Sequence, residues 1–189
     1  MTAARDVRRL FTIEEYAALE KVGDARYEYW DGEIVCMSGG SRAHYLISDN
    51  AFTLLKAAAR ERECLAASGQ CPVVSGDQSY YRYPDASVSC DPVFKEILGI
   101  DVLTNPLVLV EVTSPTTESA DHKAKRDAYQ TIESLREYVI VEQDEPKVTL
   151  YVREGDEWTR EVIKGIEGNF RLPSLVCEIA LRNLYENVF

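Results

Sequence analysis

The stretch "LVLVEVTSP", Leu107 to Pro115, sets a single carboxylate, Glu111, inside an otherwise apolar run. Such a run reads as a strand buried on both faces of a sheet. An ionised carboxylate buried without a partner costs several kcal/mol or is forced to neutralise. Glu111 therefore needs something to hold: a hydrogen-bond partner, a cation or a metal. A second charge follows on the next helical segment. Stepped around at about 100° per residue, Ala124, Ala128, Ile132 and Leu135 fall on one side with Tyr129 at its edge, and Lys125 lies inside that apolar sector. Either Lys125 snorkels past the apolar face to solvent, or it shares a site with Glu111. A third charge, Asp85, stands in "YPDASV". Pro84 suits the entry of a strand, so Asp85 is either a turn residue or a carboxylate at the mouth of a short strand.

Together these three types suggest one chemistry. Two carboxylates can bind a hard divalent cation through oxygen and leave positions for water and substrate. Such a cation acidifies water and stabilises charge on a phosphoryl oxygen. A nearby ammonium orients the attacking water or neutralises developing negative charge. A metal-dependent phosphodiesterase needs these parts.

The elements that would position them can be read from the pattern. "FTIEEYAALEK" is a short amphipathic helix with Thr12 as N-cap and Glu15 completing a capping box. "YEYWDGEIVCMS" is a hairpin turning at Asp31-Gly32. "SGGS" (38–41) reads as a flexible turn, and a long helix follows from about Arg42 to Arg62, with Leu46, Leu54, Leu55 and Ala58 at helical spacing. "CPVVS", "QSYYRY" and "ASVSC" are short strands, and 91–106 reads as irregular. After the Glu111 strand, "SPTT" leads into a helix over 119–135, on which Tyr129 packs in the core and His122 faces solvent. "EYVIVE" is another buried strand, "KVTLYVREGDEWTREVI" a hairpin turning at 154–156, and "EIALRNLYENV" a terminal helix. The order predicts an α/β domain, a mixed sheet flanked by helices.

The 189 residues, 46% apolar, suit one domain over 1–189 with a real core. No apolar run approaches the roughly 20 residues that span a bilayer, and "MTAARDVRRLF" lacks the apolar stretch of a secretory signal. The expectation is a soluble cytoplasmic protein with no membrane role. Cys36, Cys64, Cys71, Cys90 and Cys177 form no CxxC pair, and buried reduced thiols are expected. A net charge of −11 repels a phosphate backbone. Binding nucleic acid would need a basic patch, a metal or a partner.

Taken in order, "RYEYWDGEIVCMS", "RAH", "YPDASV", "LVLVEVTSPTT", "DHKAKRDAY" and "EYVIVE" resemble the Uma family of restriction endonucleases, within the PD-(D/E)XK nuclease superfamily. The resemblance runs from "FTIEEYAAL" to the C-terminal "LY". It implies a restriction endonuclease-like fold, with Asp85 and Glu111 as the metal-binding acidic pair for Mg2+ or Mn2+. Lys125 matches a lysine displaced from the strand onto the helix, and Thr113 stands where the superfamily's simple motif has lysine. Glu28 matches a further acidic residue near the site, with a basic partner across the hairpin as the plainer reading. His44 matches a histidine at the start of the long helix, where it would meet nucleic acid or simply cap the helix. The implied activity is metal-dependent endonuclease cleavage of phosphodiesters, DNA being the expected substrate, by a homodimer. The alternative is a nuclease fold that is catalytically idle and serves as a binding or regulatory module.

Overall fold

The computed structural model describes residues 9–23, 25–37, 39–113 and 120–189, with side chains from 123 onward in the helix that begins at 120. The basic N-terminus, Ser38 of "SGGS", the "SPTT" segment and the His122 side chain lie outside the described residues.

The chain opens with α1 (Ile13–Val22), whose capping box forms as predicted: Thr12 caps the helix and the Glu15 side chain reaches back to the Thr12 N–H. The hairpin of β1 (Tyr27–Trp30) and β2 (Glu33–Cys36) follows. Asp31 and Gly32 both take positive φ, 44° and 91°, as a two-residue hairpin turn requires. Helix α2 (Arg42–Arg60) is capped by Ser41. It buries Ile47, Ala51, Leu55 and Ala59; of the positions that sequence spacing suggested, Leu55 lies in this seam and Leu46, Leu54 and Ala58 are half-buried beside it.

Then come β3 (Leu65–Ser68), β4 (Val73–Val74), β5 (Tyr80–Arg82) and β6 (Ala86–Ser89). The supposedly irregular 91–106 contains a further hairpin, β7 (Phe94–Ile97) and β8 (Ile100–Leu103), turning at Leu98-Gly99. Its short strands, largely exposed on β7, carry too little apolar alternation to be legible. The central strand β9 (Val108–Thr113) is buried throughout. Helix α3 spans Ala120–Gln130, ending before the predicted 135, and β10 (Glu137–Glu142) pairs parallel to β9. This β9–α3–β10 unit is a helical crossover between parallel strands. The chain continues with β11 (Lys147–Glu154) and β12 (Glu157–Lys164), then β13 (Asn169–Leu172) and β14 (Cys177–Ala180), and ends in α4 (Leu181–Leu184). Part of the expected terminal helix is thus strand, because Glu178 to Ala180 pair with β13.

Among the described residues the strands make two six-stranded mixed sheets, ordered β2-β1-β5-β4-β8-β7 and β12-β11-β10-β9-β6-β3, and a two-stranded sheet of β13 and β14, where one mixed sheet was expected. Among the described residues, three apolar clusters hold the layers. Alternation along the strands assigns each residue to one of them. Val108, Val110 and Val112 join α2 and the C-terminal strands on one face of the second sheet. Leu109, with Tyr138 and Ile140, meets α3 and also Val73 and Leu103 of the first sheet. Tyr16 of α1 packs with Val74, Tyr81 and Val102 on the far face of the first sheet. The first sheet therefore has its inner face toward α3 and β9.

The cysteine expectation is corrected. Cys64 and Cys90 form a disulfide, Cys36 is exposed, and Cys71 and Cys177 are half-buried. The reason is register: Leu65 pairs with Ser89 across β3 and β6, so the residues one step beyond face each other. No helix among the described residues is long and apolar enough to cross a membrane.

Candidate active site

Strand register brings Asp85 to Glu111. Ala86 pairs with Val110 in the antiparallel β6–β9 ladder, so one step further sets Asp85 opposite Glu111. The Asp85 carboxylate is held at both oxygens: Oδ2 accepts the Val112 N–H at 2.7 Å and Oδ1 accepts the Ser48 hydroxyl at 2.8 Å. Ser48 and His44 lie one turn apart on α2. Ser41 accepts the His44 N–H at 3.1 Å, fixing His44 in the first turn, and His44 Nε2 stands 3.6 Å from Asp85 Oδ1.

Glu111 is 5% exposed and is partnered. Its Oε1 accepts the Tyr129 hydroxyl at 2.7 Å and its Oε2 accepts the Lys125 ammonium at 2.9 Å. Both donors come from α3, four residues apart and so on one helix face. Lys125 thus points inward, where snorkelling would have turned it to solvent. Tyr129 does pack in the core, against Tyr138 at 5.3 Å between ring centroids, and also carries a polar contact.

Glu28 arrives from the other sheet by alternation. In "YEYW", Tyr27 and Tyr29 face the α1 cluster, which turns Glu28 and Trp30 to the inner face. Tyr29 pairs with Tyr81, so one step on sets Glu28 opposite Arg82. Arg82 Nη1 lies 3.5 Å from Glu28 Oε2, and Lys125 Nζ lies 4.0 Å from Glu28 Oε1. The plainer reading of Glu28, a basic partner, is therefore observed with the partner on β5.

Burial and the Glu111 charge push the Asp85 carboxyl above the ordinary carboxylate range, against the pull of His44 and two hydrogen bonds. Burial likewise raises Glu28, with Lys125 and Arg82 opposing and Glu111 adding to the rise. Burial acts upward on Glu111 as well, but Lys125, the Tyr129 hydroxyl and Arg82 outweigh it and hold this carboxyl low. Burial pulls Lys125 down, and the Glu111 and Glu28 carboxylates outweigh it, so the ammonium stays charged. Among the described residues, three carboxylates, Glu28, Asp85 and Glu111, face the two cations Lys125 and Arg82.

All five residues singled out in the sequence, Glu28, His44, Asp85, Glu111 and Lys125, thus come together where the two sheets, α2 and α3 meet. Thr113 is turned to another partner: its hydroxyl donates to Glu142 at 2.9 Å on β10. Three neighbours escaped the sequence. Ser48 gave no signal beyond its one-turn spacing from His44. Tyr129 was assigned to packing alone. Arg82, fully buried, sits in "YYRY", where its alternation with Tyr81 was the available clue.

Comparisons with known proteins bear on the family and the fold. The family model Uma2, described as "Putative restriction endonuclease", matches residues 13–182. A Synechocystis sp. protein described as "Uncharacterized protein slr1290" is 32% identical over 146 residues, 77% of this chain and 76% of its own length. Another from the same organism, "Uncharacterized protein sll1609", is 28% identical over 159 residues, 83% of this chain and 89% of its own. A crystal structure from Anabaena variabilis, titled as a putative nuclease belonging to DUF820, superposes with a TM-score of 0.69 at 17% identity, covering 88% of this chain and 93% of that one. At that identity the likeness is one of fold, and the fold is restriction endonuclease-like.

Proposed function

The chain belongs to the Uma2 family of putative restriction endonucleases, and from that premise we propose that it is a divalent-metal-dependent endonuclease acting on phosphodiester bonds in DNA. The observation that carries the reading is the convergence of Asp85, Glu111 and Lys125, with the Lys125 ammonium 2.9 Å from Glu111 and Asp85 bonded to the residue after it. The donor set fits Mg2+ or Mn2+. Its oxygens are hard ligands. That matches an ion bound through one or two carboxylates, with water and substrate phosphate supplying the rest. Each carboxylate oxygen already accepting one hydrogen bond keeps a further lone pair. The upward push on Asp85 and Glu28 is also relieved when a cation joins the site.

Asp85 and Glu111 would hold the ion, which acidifies water and offsets charge on the phosphoryl oxygen. Lys125 orients the attacking water or neutralises the charge building in the transition state. Val112 and Ser48 fix the direction of Asp85, and Tyr129 fixes that of Glu111. Glu28, on the opposite sheet, would assist the acidic pair at the ion. His44, part-exposed at the start of α2 with its ring beside Asp85, would contact the nucleic-acid backbone. The active form is a homodimer, two-fold pairing being the commonest soluble assembly.

Incubating the protein with single- and double-stranded DNA and Mg2+ or Mn2+ tests the activity. Cleavage that survives Asp85→Ala would remove this assignment of the site. One observation favours a second reading, an idle nuclease fold used for binding: Thr113 occupies the lysine position of the simple motif and is engaged by Glu142. Calorimetric titration with Mn2+ separates the two, since the idle module need bind no ion near Glu111.

A further inference from the structure

Arg82 has no role in the mechanism above, and its placement is costly. The side chain is 0% exposed. Its guanidinium carbon lies 3.9 Å from the centroid of the Trp30 ring. Its Nε and Nη2 are buried with no acceptor among the described residues, and Nη1 meets Glu28 at the long distance of 3.5 Å. Good hydrogen bonding does not explain a cation in this position. An apolar side chain of similar volume would avoid the desolvation.

Its charge does explain it. Four side chains alternate in sign across the space between the sheets: Arg82, Glu28, Lys125 and Glu111. Glu28 lies between two cations, 3.5 Å from Arg82 and 4.0 Å from Lys125. Lys125 lies between two carboxylates, 4.0 Å from Glu28 and 2.9 Å from Glu111. The two cations differ in freedom. Arg82 is planar, permanently charged, stacked on Trp30 and set on the inner face of β5. Lys125 is partly exposed and carries its charge on a flexible four-carbon stem. A mobile ammonium between two anions settles by their relative pull, and a fixed cation on one anion weakens that side.

We propose that Arg82 is a positioning residue: it partly satisfies Glu28 and so leaves the Lys125 ammonium on Glu111, beside the acidic pair. The charge sharing stands on this geometry; its value for catalysis rests on the proposed nuclease reading.

The test follows the Lys125 side-chain resonance by NMR in full-length protein labelled with 13C,15N-lysine, assigned by its loss in Lys125→Arg. Arg82→Met is expected to move that resonance by more than a linewidth, as the ammonium shifts toward Glu28. In a Glu28→Gln background the same substitution leaves it in place, because the competing anion is gone. No movement in the first case, or equal movement in both, overturns the proposal and leaves Arg82 a packing residue. If Arg82→Met alone does not fold, a folded Arg82→Met/Glu28→Gln protein with the Glu28→Gln resonance position supports it. A double variant that also fails to fold overturns it. Wild-type Mn2+ calorimetry is run separately. Absence of binding there sinks the metal-site reading, while the resonance still decides the role of Arg82.

Discussion

The Asp85 carboxylate accepts the backbone N–H of Val112 at 2.7 Å. Val112 directly follows Glu111, and the last β6–β9 pair is Ala86 with Val110. The side chain of Asp85 thus takes up a ladder donor just where the pairing strand ends. The separation of the two acids is set by strand register, with the rotamer of Asp85 fixed by a main-chain group. The acidic pair is thus positioned by backbone groups, which is what placing reactive groups demands.

Asp85→Asn tests the cost of that arrangement. Burial and the Glu111 charge raise the Asp85 carboxyl. A carboxyl raised in the folded state contributes stability that is full below its unfolded value, near about 3.9, and is lost as pH rises through its folded value. At neutral pH its charge therefore works against the metal-free fold. Asn keeps an acceptor for Val112 without the charge, so the metal-free variant should melt above wild type at about pH 7.5, with the advantage shrinking toward about pH 4. Mn2+ reverses the order. At about 100 times its Kd the ion adds about 2.7 kcal/mol to the wild type, roughly 5–10 °C. The variant should gain little. Equal gains in both proteins would mean that the ion binds elsewhere.

Lys125→Met removes the cation that lies 2.9 Å from Glu111. Taking one partner from a buried pair costs about 3–5 kcal/mol, because the other charge is left uncompensated. The sign of the pH dependence follows from the low Glu111 carboxyl. Its contribution is present above the unfolded value and is lost as pH falls through the folded one. The gap between wild type and variant in urea denaturation should be wide at about pH 8 and narrow in acid. On a cleavable substrate the turnover rate should fall by about 10²–10³, the effect of removing one charge-stabilising donor. Unchanged turnover would take Lys125 out of the reaction.

Much of this site was legible because charge against an apolar background is a strong signal. Glu111 stands out within a six-residue strand buried at every position, and Lys125 stands out on the apolar side of α3. Glu28, His44 and Asp85 were found by their motif context, since each alone suits a turn, cap or surface pair. Arg82 was missed because "YYRY" suggests an ordinary strand, and its neighbours Glu28 and Lys125 are distant in sequence. The β7–β8 hairpin was missed for want of alternation, and the Cys64–Cys90 bridge because it depends on β3 pairing with β6. Register of that kind is settled by packing among strands rather than by spacing along the chain.

Tyr129→Phe isolates one hydrogen bond. The ring stays in place against Tyr138, and the hydroxyl that donates to Glu111 at 2.7 Å is lost. A hydrogen bond to a charged group contributes about 1.5–3 kcal/mol, and urea denaturation should show a loss in that range. Mn2+ should still bind, because the variant leaves both carboxylates in the site. A loss below about 0.5 kcal/mol, ordinary for an exposed substitution, would mean that Tyr129 packs without holding Glu111.

The Cys64–Cys90 bridge separates fold stability from site geometry. It joins residues 26 apart in sequence, and closing a loop of that length stabilises by about 2–4 kcal/mol. Reduction should lower the melting temperature by roughly 4–15 °C, and a Cys64→Ser/Cys90→Ser variant should melt at the reduced value and ignore reductant. The same two elements, α2 and β6, lead from the bridge to Ser48 and Asp85. Asp85 is nevertheless held at both oxygens by groups that do not involve the bridge. The rise in melting temperature on adding Mn2+ should therefore be the same in oxidised and reduced protein. A rise that disappears on reduction would show that the bridge orders the site itself. Because disulfides are rare in the cytosol, alkylating thiols at the moment of lysis would also check the cytoplasmic expectation. Exposed Cys36 serves as the internal control, reacting whether or not Cys64 and Cys90 are paired.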